Sequence, residues 1–358
     1  LFPGIALAEE FLSRDPGNAV LFVGTSQGIE ARAVPKAGFD LELIKVGGLK
    51  GKGLWGWLRG IFKLPRAIWQ SRRILKKYKP DVVVGVGGYA SGPVLLAAWL
   101  MRLPTAVLEQ NALPGMTNRV LGRLVRRVFV AFPQAEKFFK KKKVQLLGNP
   151  VRRALADSLQ QAREPESKKS LLVFGGSQGA RILNQVVPEA VRMLCERLPE
   201  LEVVHQTGER ECDDVKQRYQ EKGVEAAVLP FIHDMAAAYR KADLVVSRAG
   251  ATTVAELSLC RKPAVLIPFP YAADNHQVIN AQALVESGAA VMILQSNLDA
   301  KRLADEVGAI LADDKRRANM EEAAGQVARP DSARDICDSC LELCKKSRWR
   351  RKEVANAS

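Results

Sequence analysis

The residues best suited to chemistry lie in three short stretches of the second half of the chain. In LLVFGGSQGARILNQ (residues 171–185) an apolar run ends at Phe174, a glycine turn follows, and the pattern then becomes helical. A helix start exposes unpaired backbone N–H groups and a partial positive charge, and glycine lets such backbone come close to a phosphate. Ser177 can add a hydroxyl and Gln178 an amide, so Gly175 to Gly179 can cradle a diphosphate. A tight strand-to-helix turn without a ligand would use the same glycines. No Lys-Ser/Thr pair follows at Walker A spacing, which argues against ATP hydrolysis.

The second stretch, SRAGATTVAEL (residues 247–257), repeats the arrangement after another apolar run. Ala251, Thr252 and Thr253 sit where a helix should begin, followed by Val254 and Ala255. Glu256, one turn in, has a carboxylate that can accept from both hydroxyls of a ribose, or simply a charge that suits a helix N-terminus. In the third, FPYAADNHQVINAQAL (residues 269–284), His276, Gln277 and Asn280 fall on neighbouring helical turns, and such polar groups suit sugar hydroxyls. No Asp-x-Asp pair stands beside a strand end, so no obligatory metal–diphosphate site, and no other cofactor, is expected.

These stretches need strands to carry them. Candidate strands are Val20–Val23, Leu41–Val46, Asp81–Val86, Thr105–Leu108, Arg127–Ala131 and Val144–Leu147, then Leu171–Phe174, Glu202–His205, Ala227–Leu229, Leu244–Ser247, Ala264–Ile267 and Ala290–Ile293. Most are continuous apolar runs, as in parallel strands buried on both faces, and helical stretches separate many of them. The pattern is that of an α/β protein with doubly wound sheets. The polar segment within residues 148–169 divides it into two Rossmann-like halves, and a weak repeat (VGVGGYASGPVLLAAW against VFGGSQGARILNQVV) makes them similar. The cleft between such halves is the default site.

The chain has 358 residues and a net charge of +15, which favours polyanions: nucleic acid, an anionic membrane or phosphorylated substrates, if it is more than a solvated surface. Nothing resembles a nucleic-acid-binding module. Cys337, Cys340 and Cys344 have the spacing of one helix face, without a fourth ligand nearby for zinc. The uncharged run Val82 to Met101 is long enough to span a bilayer, but its central glycines and Pro93 fit strand, loop and helix better.

Together, GGSQGARILNQ, SRAGATTVAEL and ADNHQVINA, with VGVGGYASGPVLLAAW, LEQNALPGMTNRVL and LGNPVRR in the first half, resemble the MurG family of peptidoglycan glycosyltransferases. These enzymes move N-acetylglucosamine from UDP-GlcNAc onto the undecaprenyl-diphosphate-linked acceptor lipid I, making lipid II. The resemblance covers nearly the whole chain. It implies a GT-B fold, two Rossmann-like domains whose parallel sheets face each other across a cleft: residues 1–150 for acceptor and membrane, 151–332 for UDP-GlcNAc. A last helix, about 333–345, would rejoin the first domain, and 346–358 would be a basic, frayed tail.

Carried over by residue, the resemblance puts Ser177, Gln178 and Gly179 at the donor diphosphate, Ile232 at the uracil, Ala251 to Ala255 at the phosphate and sugar, and Glu256 at the ribose. His276, Gln277 and Asn280 would face the sugar; some relatives carry Gln where His276 stands. Asn111 and Arg152 match donor-binding positions. Gly87, Gly88, Tyr89 and Ser91, with Glu109, fall in loops facing the acceptor. The family's first glycine loop, with a histidine that is a candidate catalytic residue, would lie upstream of Leu1, so the chain as written is expected to bind donor better than it turns over. Tyr89 and Glu109 are then the catalytic candidates within it, with a buried structural carboxylate the alternative for Glu109.

A lipid acceptor implies an anionic membrane surface, at the cytoplasmic face of the bacterial inner membrane. Trp55, Trp57, Phe62 and Trp69, interleaved with Arg66, Arg72 and Arg73, have the apolar and basic character of an interfacial segment, although some of these aromatics could pack in the core. Pro65 is expected to break the segment in two, and the lysines of KFFKKKK (137–143) to join the same face. The reaction expected is inverting displacement at the anomeric carbon. Rivals are a GT-B transferase with another lipid acceptor, a UDP-GlcNAc epimerase, and a non-catalytic nucleotide-sugar binder.

Overall fold

The structure is a computed structural model that describes residues 1–46, 53–158, 168–272 and 275–356, without the side chains of 53–63, 154, 158 and 346–356. It divides into two bodies, Leu1–Arg152 with Asp331–Ser358, and Arg153–Pro330.

In the first body the strands are β1 (Leu21–Gly24), β2 (Asp40–Leu43), β3 (Val83–Gly85), β4 (Thr105–Glu109), β5 (Arg127–Val130) and β6 (Val144–Leu146). β1 and β2 form a parallel pair; β3-β4-β5-β6 form a second parallel sheet in that order. Alternation sorts the second sheet's residues. Val107, Val128 and Val130 face a core with Leu95, Ala98 and Leu121, while Ala106, Leu108 and Phe129 face Leu7 and the final helix. That helix, Ser332–Asn356, buries Ile336, Cys337, Cys340 and Leu343 on one stripe. The cysteines are therefore core residues. Burial pushes the Cys337 thiol up to about 11 and the Cys340 thiol further up.

The second body holds β7 (Ser170–Phe174), β8 (Glu202–Gln206), β9 (Ala227–Leu229), β10 (Leu244–Ser247), β11 (Ala264–Leu266) and β12 (Ala290–Met292). Their spatial order is β12-β11-β10-β7-β8-β9, all parallel. The chain winds outward from β7 to β9, returns to place β10 beside β7, and winds outward the other way. Phe174 pairs with Ser247 at the carboxyl ends of β7 and β10. At their amino ends, Ser170 N donates to Asp243 Oδ2 (2.8 Å), and Asp243 N donates to Ser170 Oγ (3.2 Å).

All twelve strands lie where the apolar runs place them. Three expectations change. Residues 53–78 are one helix through Pro65. A proline costs the helix one hydrogen bond, and Ala67, Ser71 and Leu75 keep a buried stripe beyond it. Second, the expected frayed tail continues the final helix to Asn356, in a stretch without Gly or Pro. Third, Lys143 does not belong to an outward-facing basic run. Its ammonium donates to the carbonyls of Arg123 and Val125 (2.7 Å each), closing the C-terminus of the helix Met116–Leu124. Among the described residues no helix is long and apolar enough to cross a membrane; Val83–Gly85 is strand and Ser91–Leu100 helix.

One buried group gives the second body a pH signature. His205 on β8 is fully buried, and its Nδ1 shares a hydrogen bond with the Tyr219 hydroxyl (3.1 Å). Burial lowers its pKa to about 3. Below about pH 6.5 the unfolded chain takes up a proton there that the folded chain does not. Stability from the neutral imidazole is therefore present above that pH and lost as pH falls towards 3, by at most about 1.4 kcal/mol per pH unit. In urea unfolding between pH 7 and 5, His205→Gln is expected to flatten this slope; parallel slopes would show that His205 is not its source.

Candidate functional site

The winding reverses between β7 and β10, and in open α/β sheets ligands bind outside the carboxyl ends of strands at such a switch point. The two stretches singled out by composition leave β7 and β10 there. GGSQG leads from Phe174 to the helix Arg181–Cys195, and RAG from Ser247 to the helix Ala251–Leu259. Neither helix has a side-chain cap, nor does His276–Glu286, which follows β11. By contrast Asp234, Asp299 and Asp313 each accept a backbone N–H from the first turn of their helices. Uncapped first turns leave N–H groups for an anion.

The glycines of the phosphate turn answer to neighbours as well as to a ligand. A Cβ on Gly179 (φ +74°) would stand 1.7 Å from the carbonyl oxygen of Thr207, and one on Gly208 2.3 Å from that of Gln178. The turn after β7 thus touches the turn after β8 backbone to backbone. A Cβ on Gly176 (φ +93°) would meet nothing within 4 Å, so that glycine serves the turn's conformation. Ser177 and Gln178 are exposed above it.

Sequence reasoning missed the supports of this site. Gln206 Nε2 donates to the Pro230 carbonyl (3.1 Å) and Thr207 N to that of Leu229 (3.0 Å), so the strand end next to the phosphate turn also holds the loop bearing Ile232. Ile232 is buried, and the exposed ring there is Phe231, edge-on to His233. Arg248 donates to the carbonyls of Ile267 (3.1 Å) and Pro268 (3.2 Å) and to Gln295 Oε1 (2.8 Å), and lies over the Phe269 ring. Burial lowers its pKa. Glu256 is half-buried and accepts from the Tyr239 hydroxyl at 3.1 Å. Ala251, Thr252, Thr253 and Ala255 are half-buried along the same helix, and Val254 is buried.

The third stretch divides. His276 opens its helix half-buried, and Gln277 Oε1 accepts from Phe269 N at 2.9 Å. Asn280, expected to face a sugar, is 0% exposed and donates to the Ala249 carbonyl (3.3 Å). Its position one turn further in turns it into the sheet, where it ties this helix to the loop after β10.

In the first body the loops after β3 and β4 meet. Gly87 (φ +89°) and Gly88 (φ +80°) form the first turn, and Gln110 Nε2 donates to the Val86 carbonyl (2.9 Å), joining the second loop to it. Tyr89 is 53% exposed. Ser91 is buried, its hydroxyl donating to the Gly87 carbonyl and closing the turn. Glu109 is 2% exposed. One carboxylate oxygen accepts from Asn111 N (3.0 Å) and Nδ2 (3.3 Å), the other from Gly115 N (3.3 Å) and Asn118 Nδ2 (2.8 Å). A carboxylate offers about four lone-pair sites, so in this arrangement Glu109 pins the loop 110–118 and is not poised as a base. Arg152, last in this body's first segment, lies over the Phe2 ring at 5.6 Å.

Trp69 is 62% exposed on its helix, with Arg66, Arg72 and Arg73 exposed one turn either side. The side chains of Trp55, Trp57 and Phe62 lie outside the described residues.

Residues 1–130 match the glycosyltransferase family 28 N-terminal domain and residues 170–336 its C-terminal domain. The fold and site therefore define a GT-B glycosyltransferase. Two similar proteins, from Anaeromyxobacter sp. (strain Fw109-5) and Myxococcus xanthus (strain DK1622), are 56% and 54% identical over 98% and 96% of this chain and 91% and 90% of their own. Each is named a UDP-N-acetylglucosamine--N-acetylmuramyl-(pentapeptide) pyrophosphoryl-undecaprenol N-acetylglucosamine transferase. A crystal structure of Acinetobacter baumannii MurG superposes with a TM-score of 0.77 at 31% identity, covering 95% of both chains. A UDP-GlcNAc 2-epimerase from Neisseria meningitidis, at 12% identity and a TM-score of 0.69 over 95% of this chain and 96% of its own, shares the fold alone. The chain belongs to the MurG family of N-acetylglucosamine transferases.

The role of Glu109 can be tested directly. Glu109→Gln would turn an NH2 group towards donors and is expected to lower unfolding free energy by about 1–3 kcal/mol, measured by urea denaturation. A variant of unchanged stability that lost only turnover would make Glu109 a base after all.

Proposed function

We propose that this chain transfers N-acetylglucosamine from UDP-GlcNAc to the muramyl sugar of undecaprenyl-diphosphate-linked N-acetylmuramyl pentapeptide, the lipid I to lipid II step of peptidoglycan synthesis. The observation that carries the reading is the pair of helices without side-chain caps that open at the switch point. The acceptor hydroxyl gives its proton to a general base as its oxygen attacks the anomeric carbon of the donor sugar, and UDP leaves from the opposite face with inversion. Negative charge grows on the leaving diphosphate, and the first turns at Arg181 and Ala251 meet it with backbone N–H groups, in place of a metal. Ser177, Gln178 and Gly179 hold the diphosphate, Ile232 lines the uracil side, and Glu256 accepts from the ribose hydroxyls. His276 and Gln277 lie on the sugar side. Glu109 fixes the loop carrying Asn111, a donor-binding position by the family resemblance, and exposed Tyr89 stands in the loop on the acceptor side.

Calorimetric titration with UDP-GlcNAc, followed by transfer of labelled GlcNAc onto lipid I and onto diacylglycerol, tests the assignment. Binding is expected, with Glu256→Ala losing about a hundredfold in affinity, the size of two hydrogen bonds to a charged group at ~1.5 kcal/mol each. Unaltered affinity in the variant would remove Glu256 from the donor site. Transfer to diacylglycerol instead of lipid I would favour the other lipid-acceptor reading.

The same reading places the chain peripherally on an anionic membrane, at its cytoplasmic face, through Trp69 and the arginines around it. Such contacts combine apolar insertion with attraction of roughly 1 kcal/mol per basic residue. The chain is expected to co-sediment with phosphatidylglycerol vesicles and not with phosphatidylcholine vesicles, less so at high salt, and less again as Arg72→Glu/Arg73→Glu. Equal binding to both vesicles would dissociate this surface from anionic lipid.

A further inference from the structure

We infer that Tyr239 is a positioning residue for donor recognition, its buried phenol hydroxyl fixing the Glu256 carboxylate against the nucleotide; the inference rests on the reading of Glu256 as the ribose acceptor. Tyr239 is 1% exposed, in the middle of the helix Met235–Lys241. Its ring stands edge-on to Phe174, the last residue of β7 before the phosphate turn, with centroids 6.1 Å apart and planes at 81°. Its hydroxyl donates to Glu256 Oε2 at 3.1 Å, on the helix that follows β10. The helix that carries it begins directly after the Ile232 loop, at Asp234, which caps Ala237 N (2.9 Å). One side chain therefore contacts the strand residue that leads into the phosphate turn and the ribose carboxylate, from a helix that begins directly after the loop bearing Ile232.

The choice of residue carries the argument. Phenylalanine would fill the same space against Phe174, so packing alone does not call for a hydroxyl. A buried phenol needs a partner, and this one has a carboxylate. A free glutamate side chain loses rotamer freedom when it orders on a ligand; a hydrogen bond that orders it beforehand reduces that loss. The phenol takes one lone-pair site of a half-buried carboxylate, which offers about four in all.

The test compares affinities for UDP and 2′,3′-dideoxy-UDP by calorimetry in the unaltered chain, Tyr239→Phe, Glu256→Gln and the double variant, each with its melting temperature. Tyr239→Phe is expected to weaken UDP about tenfold, the net size of one hydrogen bond to a charged group, and dideoxy-UDP little. On the Glu256→Gln background the same change should add little. A purely structural tyrosine would lower the melting temperature and weaken both ligands alike, and that result, or unchanged discrimination, overturns the inference. If Glu256→Gln itself leaves UDP and dideoxy-UDP unaffected, the reading of Glu256 fails first. If Glu256→Gln loses the discrimination and Tyr239→Phe keeps it, only the role of Tyr239 falls.

Discussion

The parallel pairing of β7 with β10 is the constraint on which the second body depends. It is the seam where the chain changes its direction of winding, and it brings together two strand ends that are 73 residues apart. At the amino end the seam is closed by reciprocal bonds between Ser170 and Asp243. At the carboxyl end it stays open, because the segments that follow turn away to opposite sides. The register that matches Phe174 with Ser247 sets the phosphate turn beside the start of the helix Ala251–Leu259. A slip of one residue would turn every apolar side chain of either strand to the wrong layer, so the core that holds the register also holds the site.

The chemistry follows from which helix ends are satisfied internally. Helices begun by Asp234, Asp299 and Asp313 have used part of their N-terminal donor capacity on those carboxylates. Those begun by Ala180 and Gly250 have no side-chain cap from those residues. In the first body the polarity is reversed. There a buried carboxylate, Glu109, collects the donors of its own loop and makes one rigid unit of residues 109–118. A loop tied in this way can present Asn111 without ordering it anew for each ligand.

Much of this was legible in the residues because the strands are buried on both faces. Leu171–Phe174 and Leu244–Val246 are unbroken apolar runs that lead to glycine-containing turns, and such runs have few other readings. What could not be read was the direction of a side chain once a turn ended. Asn280 has the type and spacing of a sugar ligand, yet it is buried and its amide donates to the Ala249 carbonyl. Lys143 reads as the last member of a basic run and is in fact a helix cap. Tyr239 carries no local signal at all, since its role depends on Glu256, 17 residues on and in another helix. Pro65 reads as a break because its local rule is strong; the buried stripe after it lets the helix continue.

The contact between Gly179 and Gly208 has a bearing on how such motifs evolve. Each glycine leaves the room that the other turn's carbonyl occupies, so neither site can acquire a side chain while its partner stays put. The two positions, one in a familiar glycine-rich signature and one in an inconspicuous HQTG stretch, form a steric couple, and selection on either acts on both. Part of what looks like a nucleotide fingerprint is thus the imprint of a neighbouring turn. A descendant that abandoned the ligand would still be obliged to keep the pair, and the glycines would outlast the activity they are usually taken to announce.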